Sequence, residues 1–416
     1  MIKECRKQSL NLAITDLLLA KGISDLVRFD ESEQQIEKPS LYRDVPHTID
    51  EDFLAQNLAN ITGIEVADVE NVLPCSPLQE NMLKKNAEGF YNVEMLFEIH
   101  STAALDIPRL REAWHKVIKR HSTLRTIFIN SPESQGDHYQ IILKNFESSL
   151  VEADAVEEQS TLQIRCSVSK SSTYESNEPH PMLTLQRTQA GKTFMKLEIL
   201  HALTDAVSLG IAFQDLCLAY DNQLSTNPAP QFSHYHTALF RQAASDRDYW
   251  HQYTAQASPC HVPRLAYHSP AETELLQTAI QAPNPSIVIP FCQRHGISVP
   301  NLFQAIWALV LNLHIPASAE VIFGYLVSGR DAEIEGIESI VGPLLSTLIY
   351  RSRVEDTTAL VDLLAQVRDD VARSSSRKFC DLREIERELG YEKALFNTMI
   401  NFRCVITLFL SPEHVH

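Results

Sequence analysis

The sequence predicts an α/β protein built from two lobes. Apolar residues alternate over 193–200, which is typical of a strand, and recur at helical spacing over 207–220. A helix predicted from Ser298 to Asn312 is likewise followed by a buried strand over 321–327. Helices that alternate with strands favour an α/β architecture. At 416 residues, 44% of them hydrophobic, the chain exceeds the size at which one core usually divides in two.

Residues 1–49 are predicted to form a helix and a linker ahead of the two lobes. Apolar residues follow helical spacing over 9–28, whereas the segment 30–49 is charged and contains proline. We expect an N-terminal lobe over 50–240 and a C-terminal lobe over 241–416.

A further helix is predicted to begin at Asp106. Aspartate is a good helix cap, and Pro108 fits the first turn of a helix. Apolar residues at helical spacing, among them Trp114 and Val117, extend this helix to about His121. Such a stripe indicates a core face.

Charge and cysteine content limit the classes of function. The formal net charge is −17, whereas nucleic-acid binding needs a basic face. The eight cysteines are scattered without a CxxC pair, which indicates neither a zinc site nor a disulfide framework.

The sequence shows no secretory or membrane-spanning signal. The amino terminus does not resemble a secretory signal, and the longest apolar stretch, 302–313, is shorter than the about 20 residues of a membrane span. We expect a soluble, cytoplasmic protein with no metal and no nucleic-acid or membrane partner.

The segment 198–208 carries the most informative pattern. His201 follows the apolar strand, Asp205 lies four residues later, and Ser208 precedes an amphipathic run. An imidazole can take or guide a proton near neutral pH when a neighbouring group holds its ring, so His201 is a candidate base. The alternative is an ordinary histidine followed by a helix-capping aspartate.

Six other segments occur in an order that resembles the condensation domains of nonribosomal peptide synthetases. The family signature HHxxxDG aligns its second histidine and its aspartate with His201 and Asp205. The six segments are 73–83 (LPCSPLQENML), 119–128 (KRHSTLRTIF), 248–250 (DYW), 323–331 (FGYLVSGRD), 341–345 (VGPLL) and 395–402 (LFNTMINF). The resemblance implies a chloramphenicol-acetyltransferase-like fold with two similar lobes and the active site between them.

The resemblance also implies a reaction and its partners. Acyl groups are carried as thioesters on the phosphopantetheine arms of peptidyl carrier domains, and an aminoacyl or peptidyl nucleophile attacks the upstream thioester. His201 would position or deprotonate that nucleophile. The domain itself binds no cofactor; the phosphopantetheine belongs to the partner carriers.

Other site residues follow from the same resemblance. Asp205 is expected to brace the turn through an arginine, either Arg120 or Arg125, between which the sequence does not choose. Ser208 is expected to hydrogen-bond the turn or to help hold an oxyanion. Gly329 and Arg330 are expected to shape the acceptor side of the substrate site.

Departures from the pattern indicate a subclass. Leu200 replaces the first histidine of the signature and Ala206 its glycine. The terminal domains of fungal synthetases, which close a finished peptide into a ring, use one histidine, the aspartate and a serine or threonine three residues later. The pattern of His201, Asp205 and Ser208 favours this terminal type. Ser346, Ile349 and the stretch 377–379 also depart from the family pattern.

Two alternatives stay open. A freestanding acyltransferase of the same superfamily would use coenzyme A thioesters with the same HxxxD core. A non-catalytic, degenerate module would fit the loss of the first histidine.

The two ends of the sequence also differ from a complete family domain. Family domains continue for several dozen residues beyond the segment that matches 395–402, so we expect this chain to be a fragment with an incomplete C-terminal lobe. We interpret the helix over 9–28 as a carrier-domain remnant or an unrelated helix, because Ser9 lacks the preceding Gly-Gly-Asp of a pantetheine attachment site.

Overall fold

The computed structural model describes two compact units. The described residues are Ala55, Leu58, 64–86, 91–100, 104–131, 137–146, 150–156, 182–188, 192–262, 283–315, 320–355, 357–392 and 394–402. The first unit contains the described residues up to Arg241 together with Ala332–Leu345, and the second contains Gln242–Asp331 and the described residues from Ser346 onward. The predicted helix over 9–28, the linker over 30–49 and the tail after Phe402 lie outside the described residues.

Two sheets and four longer helices form the described part of the first unit. Its strands are β1 Val69–Pro74, β2 Asn92–Ile99, β3 Thr126–Asn130, β4 His138–Leu143, β5 Leu150–Val156, β6 Met182–Thr188 and β7 Thr193–Leu200. Its helices are α1 Pro77–Asn86, α2 Ile107–Arg120, α3 Ala206–Tyr220 and α4 Phe232–Arg241, with short 3-10 turns at Val66–Asp68, Ser122–Arg125, His201–Leu203 and Ile337–Ser339. One sheet has the strand order β2-β7-β6-β5 and the other β1-β4-β3.

Helices α2 and α3 pack together in the first unit. Asp106 caps α2, as predicted, by accepting a hydrogen bond from the backbone N–H of Arg109 at 3.0 Å. The buried face of α2 includes Trp114, which is 2% exposed. Phe97 of β2 contacts Phe213 of α3 with ring centroids 4.2 Å apart. The sheet and these two helices thereby fix the place where β7 passes into α3.

The second unit is a three-stranded sheet with helices. Its strands are β8 Val321–Ser328, β9 Leu345–Ser352 and β10 Met399–Ile400, in the order β10-β8-β9, and its helices are α5 Ala243–Thr254, α6 Pro285–His295, α7 Val299–His314, α8 Leu360–Ser374 and α9 Leu382–Glu388. Phe323 and Tyr350 stack in the core at 4.8 Å, and Trp250 of α5 is fully buried in the same cluster. Ser298 caps α7 through the backbone N–H of Asn301, which confirms the predicted start of that helix.

The chain returns once to the first unit. After β8 and residues 329–331, Ala332–Leu345 belongs to the first unit, and β9 then continues in the second. We call residues 341–344 the return segment.

In the described part of the chain, no single helix is long and apolar enough to cross a bilayer. The consecutive helices α6 and α7 reach that length only as a pair, which is bent by 92°.

Candidate active site

The candidate site is built on the turn that joins β7 to α3. Strand β7 pairs antiparallel with β2, and the last pair is Leu200 with Asn92. The backbone N–H of His201 continues the ladder by donating to the carbonyl of Tyr91 at 2.8 Å. The chain then forms a 3-10 turn, in which the N–H of Thr204 donates to the carbonyl of His201 at 3.2 Å. We call residues 201–204 the His201 turn.

The imidazole of His201 has a defined protonation pattern. Its Nδ1 lies 2.9 Å from the backbone carbonyl oxygen of Thr204. Because a carbonyl oxygen only accepts, Nδ1 must carry the proton, and in the neutral ring Nε2 is then the nitrogen with the lone pair. The side chain is partly exposed. His201 can therefore accept a proton at Nε2.

Tyr91 lies beside this histidine. The two ring centroids are 6.4 Å apart in an edge-on arrangement. Burial raises the pKa of the Tyr91 phenol, so the hydroxyl stays protonated at neutral pH.

Asp205 links α3 to the return segment. One carboxylate oxygen accepts from the backbone N–H of Ser208 at 2.7 Å, which caps α3. The other accepts from the backbone N–H of Leu344 at 3.1 Å. The carboxylate is 3% exposed and receives backbone donors from two segments that are distant in sequence. These contacts are those of a brace.

Ser208 holds the same segment. Its hydroxyl donates to the carbonyl of Gly342 at 2.6 Å and accepts from the N–H of Gly342 at 3.0 Å. Ser208 is fully buried. The hydroxyl thus binds both backbone groups of one residue of the return segment. The predicted roles of Ser208, a hydrogen bond to the turn or support of an oxyanion, stay predictions.

The sequence reasoning missed a third contact to the return segment. The hydroxyl of Thr123, in the turn after α2, donates to the carbonyl of Val341 at 2.8 Å. Gly342 has no space for a side chain, because a Cβ there would collide with the ring of Phe232. Thr123 and Gly342 lie in the segments 119–128 and 341–345 that carry the family resemblance, so the sequence did contain a signal. The contact of Thr123 with Val341, however, joins residues 218 positions apart.

The expected arginine partner of Asp205 is corrected by the structure. The acidic partner of Arg120 is Asp215 of α3, with Nε to Oδ2 at 3.0 Å. The acidic partner of Arg125 is Glu70, at 2.6 Å from Nη1. Both guanidinium groups also donate to backbone carbonyls, and these donors stabilise the first unit around the site. The Arg120 contact does reach α3, the helix that Asp205 caps.

The two predicted substrate-binding residues belong to the second unit. Gly329 and Arg330 directly follow β8, and the backbone N–H of Arg330 donates to the hydroxyl of Ser328 at 3.2 Å. Their role in binding substrate stays a prediction. Among the described residues, histidine, cysteine and carboxylate side chains do not cluster as metal ligands would.

A family model and two fungal relatives match most of this chain. The family model described as Condensation domain matches residues 69–410. Nonribosomal peptide synthetase 8 of Aspergillus fumigatus is 30% identical over 414 residues, which is 96% of this chain and 5% of that protein. Nonribosomal peptide synthetase nlsA of Emericella nidulans is 34% identical over 345 residues, 80% of this chain and 6% of that protein. The chain therefore spans a small part of the length of these relatives.

Solved structures share the fold. The crystal structure of holo T3CT superimposes with a TM-score of 0.68 at 22% identity and covers 86% of this chain and 81% of its own. The X-domain from teicoplanin biosynthesis has a TM-score of 0.62 at 17% identity, over 78% of this chain and 76% of its own. These likenesses confirm the predicted α/β fold of the chloramphenicol-acetyltransferase-like type.

Proposed function

This chain belongs to the condensation-domain family, and we propose that it transfers an acyl group from one carrier-bound thioester to an amine or hydroxyl nucleophile. The substrates are aminoacyl or peptidyl groups on the phosphopantetheine arms of peptidyl carrier domains. A bond forms between the nucleophile and the thioester carbonyl carbon, and the carbon–sulfur bond breaks. The proton of the nucleophile passes to Nε2 of His201 and then to the departing thiolate, which leaves as a thiol.

The hydrogen bond from Nδ1 of His201 to the Thr204 carbonyl carries this proposal. It orients the ring and supports Nε2 as the proton acceptor, because a neutral imidazole that is protonated at one nitrogen accepts at the other. A well-placed general base typically contributes about 10²–10⁴-fold to rate.

Asp205 and Ser208 act in this proposal as positioning residues. Their side chains bind backbone groups of α3 and of the return segment. They hold the end of the His201 turn and take no part in proton transfer. Arg120 supports the same helix through Asp215.

Ring closure is the form of the reaction that we favour. Leu200 stands where the common signature has its first histidine, and Ser208 follows Asp205 by three residues as in the terminal, cyclising type. An internal amine or hydroxyl of the peptidyl chain would then be the nucleophile, and Gly329 and Arg330 would shape its side of the site. A cytoplasmic location is part of this proposal.

The test is a single-turnover assay of the full chain. One holo carrier protein loaded with a peptidyl group supplies the donor and an internal nucleophile, and a second one loaded with an aminoacyl group supplies a separate acceptor. Mass spectrometry detects either the released cyclic product or the product on the acceptor carrier. We expect His201→Ala to lower the rate about 10²–10⁴-fold, in line with the loss of a general base. His314→Ala is the matched control, because His314 is exposed at the end of α7. A His201→Ala chain as fast as the control would contradict the proposal.

Two further arms separate the alternatives. Coenzyme A thioesters as donors would give product if the chain were a freestanding acyltransferase. A recruitment module, which the buried Leu200 in place of histidine favours, would bind holo carriers equally well with and without His201 and would form no product.

A further inference from the structure

Gln79 is a fully buried amide of α1 that contacts the His201 turn. It is 0% exposed, and its Nε2 lies 3.0 Å from the backbone carbonyl oxygen of Ala202. Ala202 directly follows His201 within the 3-10 turn. The contact therefore joins α1 to the residue next to the candidate base, 123 positions along the chain.

The partners of Gln79 fix the orientation of its amide. Oε1 accepts from the backbone N–H of Ser76 at 3.0 Å, and Nε2 donates to Oε1 of Gln140 at 2.8 Å as well as to Ala202. The Ala202 carbonyl can only accept, so the nitrogen of the amide must face it. Both amide hydrogens and the oxygen are thus used, as a buried amide requires.

We propose that Gln79 is a positioning residue for His201. The His201 turn is held on one side by the N–H of His201 on the Tyr91 carbonyl, and on the other by the cap at Asp205. Gln79 supports the turn at Ala202, between these two contacts. Removal of its donor leaves a buried carbonyl without its partner, which favours rotation of the turn and weakens the contact of His201 Nδ1 with Thr204. The inference rests on the proposed function only where activity is concerned.

Gln140 offers a matched control in the same network. Its Nε2 donates to the carbonyl of Pro74 at 3.0 Å, and its Oε1 accepts from Gln79. It is 2% exposed, which is nearly the burial of Gln79. Gln140→Met removes a buried amide of the same kind but leaves the bond from Gln79 to Ala202 in place.

The experiment compares Gln79→Met with Gln140→Met in the full chain. Nitrogen-15 NMR of histidine-labelled protein, assigned with His201→Ala, reports which nitrogen of His201 carries the proton. We expect Gln79→Met to raise the share of the Nε2–H tautomer and Gln140→Met to leave the wild-type pattern. In the single-turnover assay with loaded carriers, we expect Gln79→Met to lower the rate roughly 10–100-fold, the scale of a small misplacement of a reacting group.

Each outcome decides the matter. A Gln79→Met chain with the wild-type tautomer pattern would overturn the proposal, and so would an equal change in Gln140→Met. The NMR experiment reads the tautomer of His201 without any turnover. If the wild-type chain showed no condensation activity, that result would therefore count against the proposed function but not against the positioning role of Gln79. If Gln79→Met fails to fold, Gln79→Leu serves in its place, because leucine also lacks the donor for Ala202 and introduces no buried charge.

Discussion

The two units bury carboxylates in different ways. In the first unit, Asp205 receives backbone N–H donors from α3 and from the return segment. In the second, Asp370 of α8 accepts from the hydroxyl of Tyr253 at 2.7 Å and pairs with Arg373, which is 62% exposed. Burial raises the pKa of Asp370 despite these donors, and it does the same for Asp246 of α5.

The difference teaches what each region does. The backbone donors on Asp205 are fixed by the fold, so its carboxylate helps to set the geometry of the turn that carries the imidazole of His201. The partners of Asp370 are side chains, and its desolvation ties the stability of the second unit to pH. Substitutions near Asp205 should therefore alter the geometry of the turn and the rate as well as stability, whereas substitutions near Asp370 should alter stability and its dependence on pH.

Truncation of the second core should give the largest effect. Trp250 is fully buried, and its indole N–H donates to the carbonyl of Arg377 at 3.0 Å. We expect Trp250→Ala to lower the free energy of unfolding by about 3–5 kcal/mol, the usual cost of removing a large aromatic side chain from a core. Urea denaturation followed by circular dichroism measures this. Trp250→Phe should lose much less, and equal losses would show that the ring does not pack as described.

A methyl group at Gly342 should have the second-largest effect, a loss of stability in the first unit. A Cβ there meets the ring of Phe232, so we expect Gly342→Ala to cost about 1–3 kcal/mol, as overpacking does. The rate of bond formation should also fall, because the return segment binds Asp205 and Ser208. Gly390→Ala is the control for the rate: a Cβ at Gly390 meets nothing within 4 Å, although its φ of 73° strains an alanine there as well. An unchanged rate in Gly342→Ala would separate the return segment from the site.

Loss of the hydroxyl at Ser208 tests whether the contacts to the return segment act together. Ser208→Ala leaves the buried N–H of Gly342 without its partner, whereas the carbonyl of Gly342 still accepts from the N–H of Leu344 at 3.0 Å. The loss should cost roughly 1–3 kcal/mol. Thr123→Val removes the neighbouring bond to Val341. In a double-mutant cycle measured by urea denaturation, we expect a coupling of about 0.5 kcal/mol or more, because both hydroxyls hold one segment. Strict additivity would mean that the two contacts act independently.

The pH dependence of Asp370 should give the smallest effect. A raised pKa means that the folded chain binds this proton more tightly than the unfolded chain, whose carboxyl titrates near 3.8. Stability therefore falls as pH rises from that value through the raised pKa, and the loss persists above it. Asp370→Asn lacks this titration, so its stability relative to wild type should improve as pH rises. Parallel denaturation curves over a pH series measure this, and an Asp370→Asn chain that follows the pH dependence of wild type would contradict the prediction.

Local features could be predicted from the sequence, and long-range partners could not. The cap at Asp106, strand β7 and helix α3 follow from residues within one turn or strand, and the structure confirms them. The partners of Arg120 and Arg125 were predicted wrongly, because many acidic residues can satisfy a guanidinium and only the packing of α2 and β3 selects among them.

The backbone partners of His201 and Gln79 could not be predicted either, for a different reason. The Thr204 carbonyl that orients His201 is a backbone group, and its direction depends on the 3-10 turn and not on residue type. Gln79 lay within the LPCSPLQENML segment, but its contact with Ala202 requires the fold to bring α1 to the His201 turn.

The protonation of His201 tests the central claim most directly. Nitrogen-15 NMR of the wild-type chain, labelled on histidine, should be recorded at a pH where the ring is neutral. We predict a protonated Nδ1 and an unprotonated Nε2, because the Thr204 carbonyl accepts from Nδ1. A proton on Nε2 of the neutral ring would contradict the account. Nε2 could then not accept the proton of the nucleophile, which is the role that we propose for it.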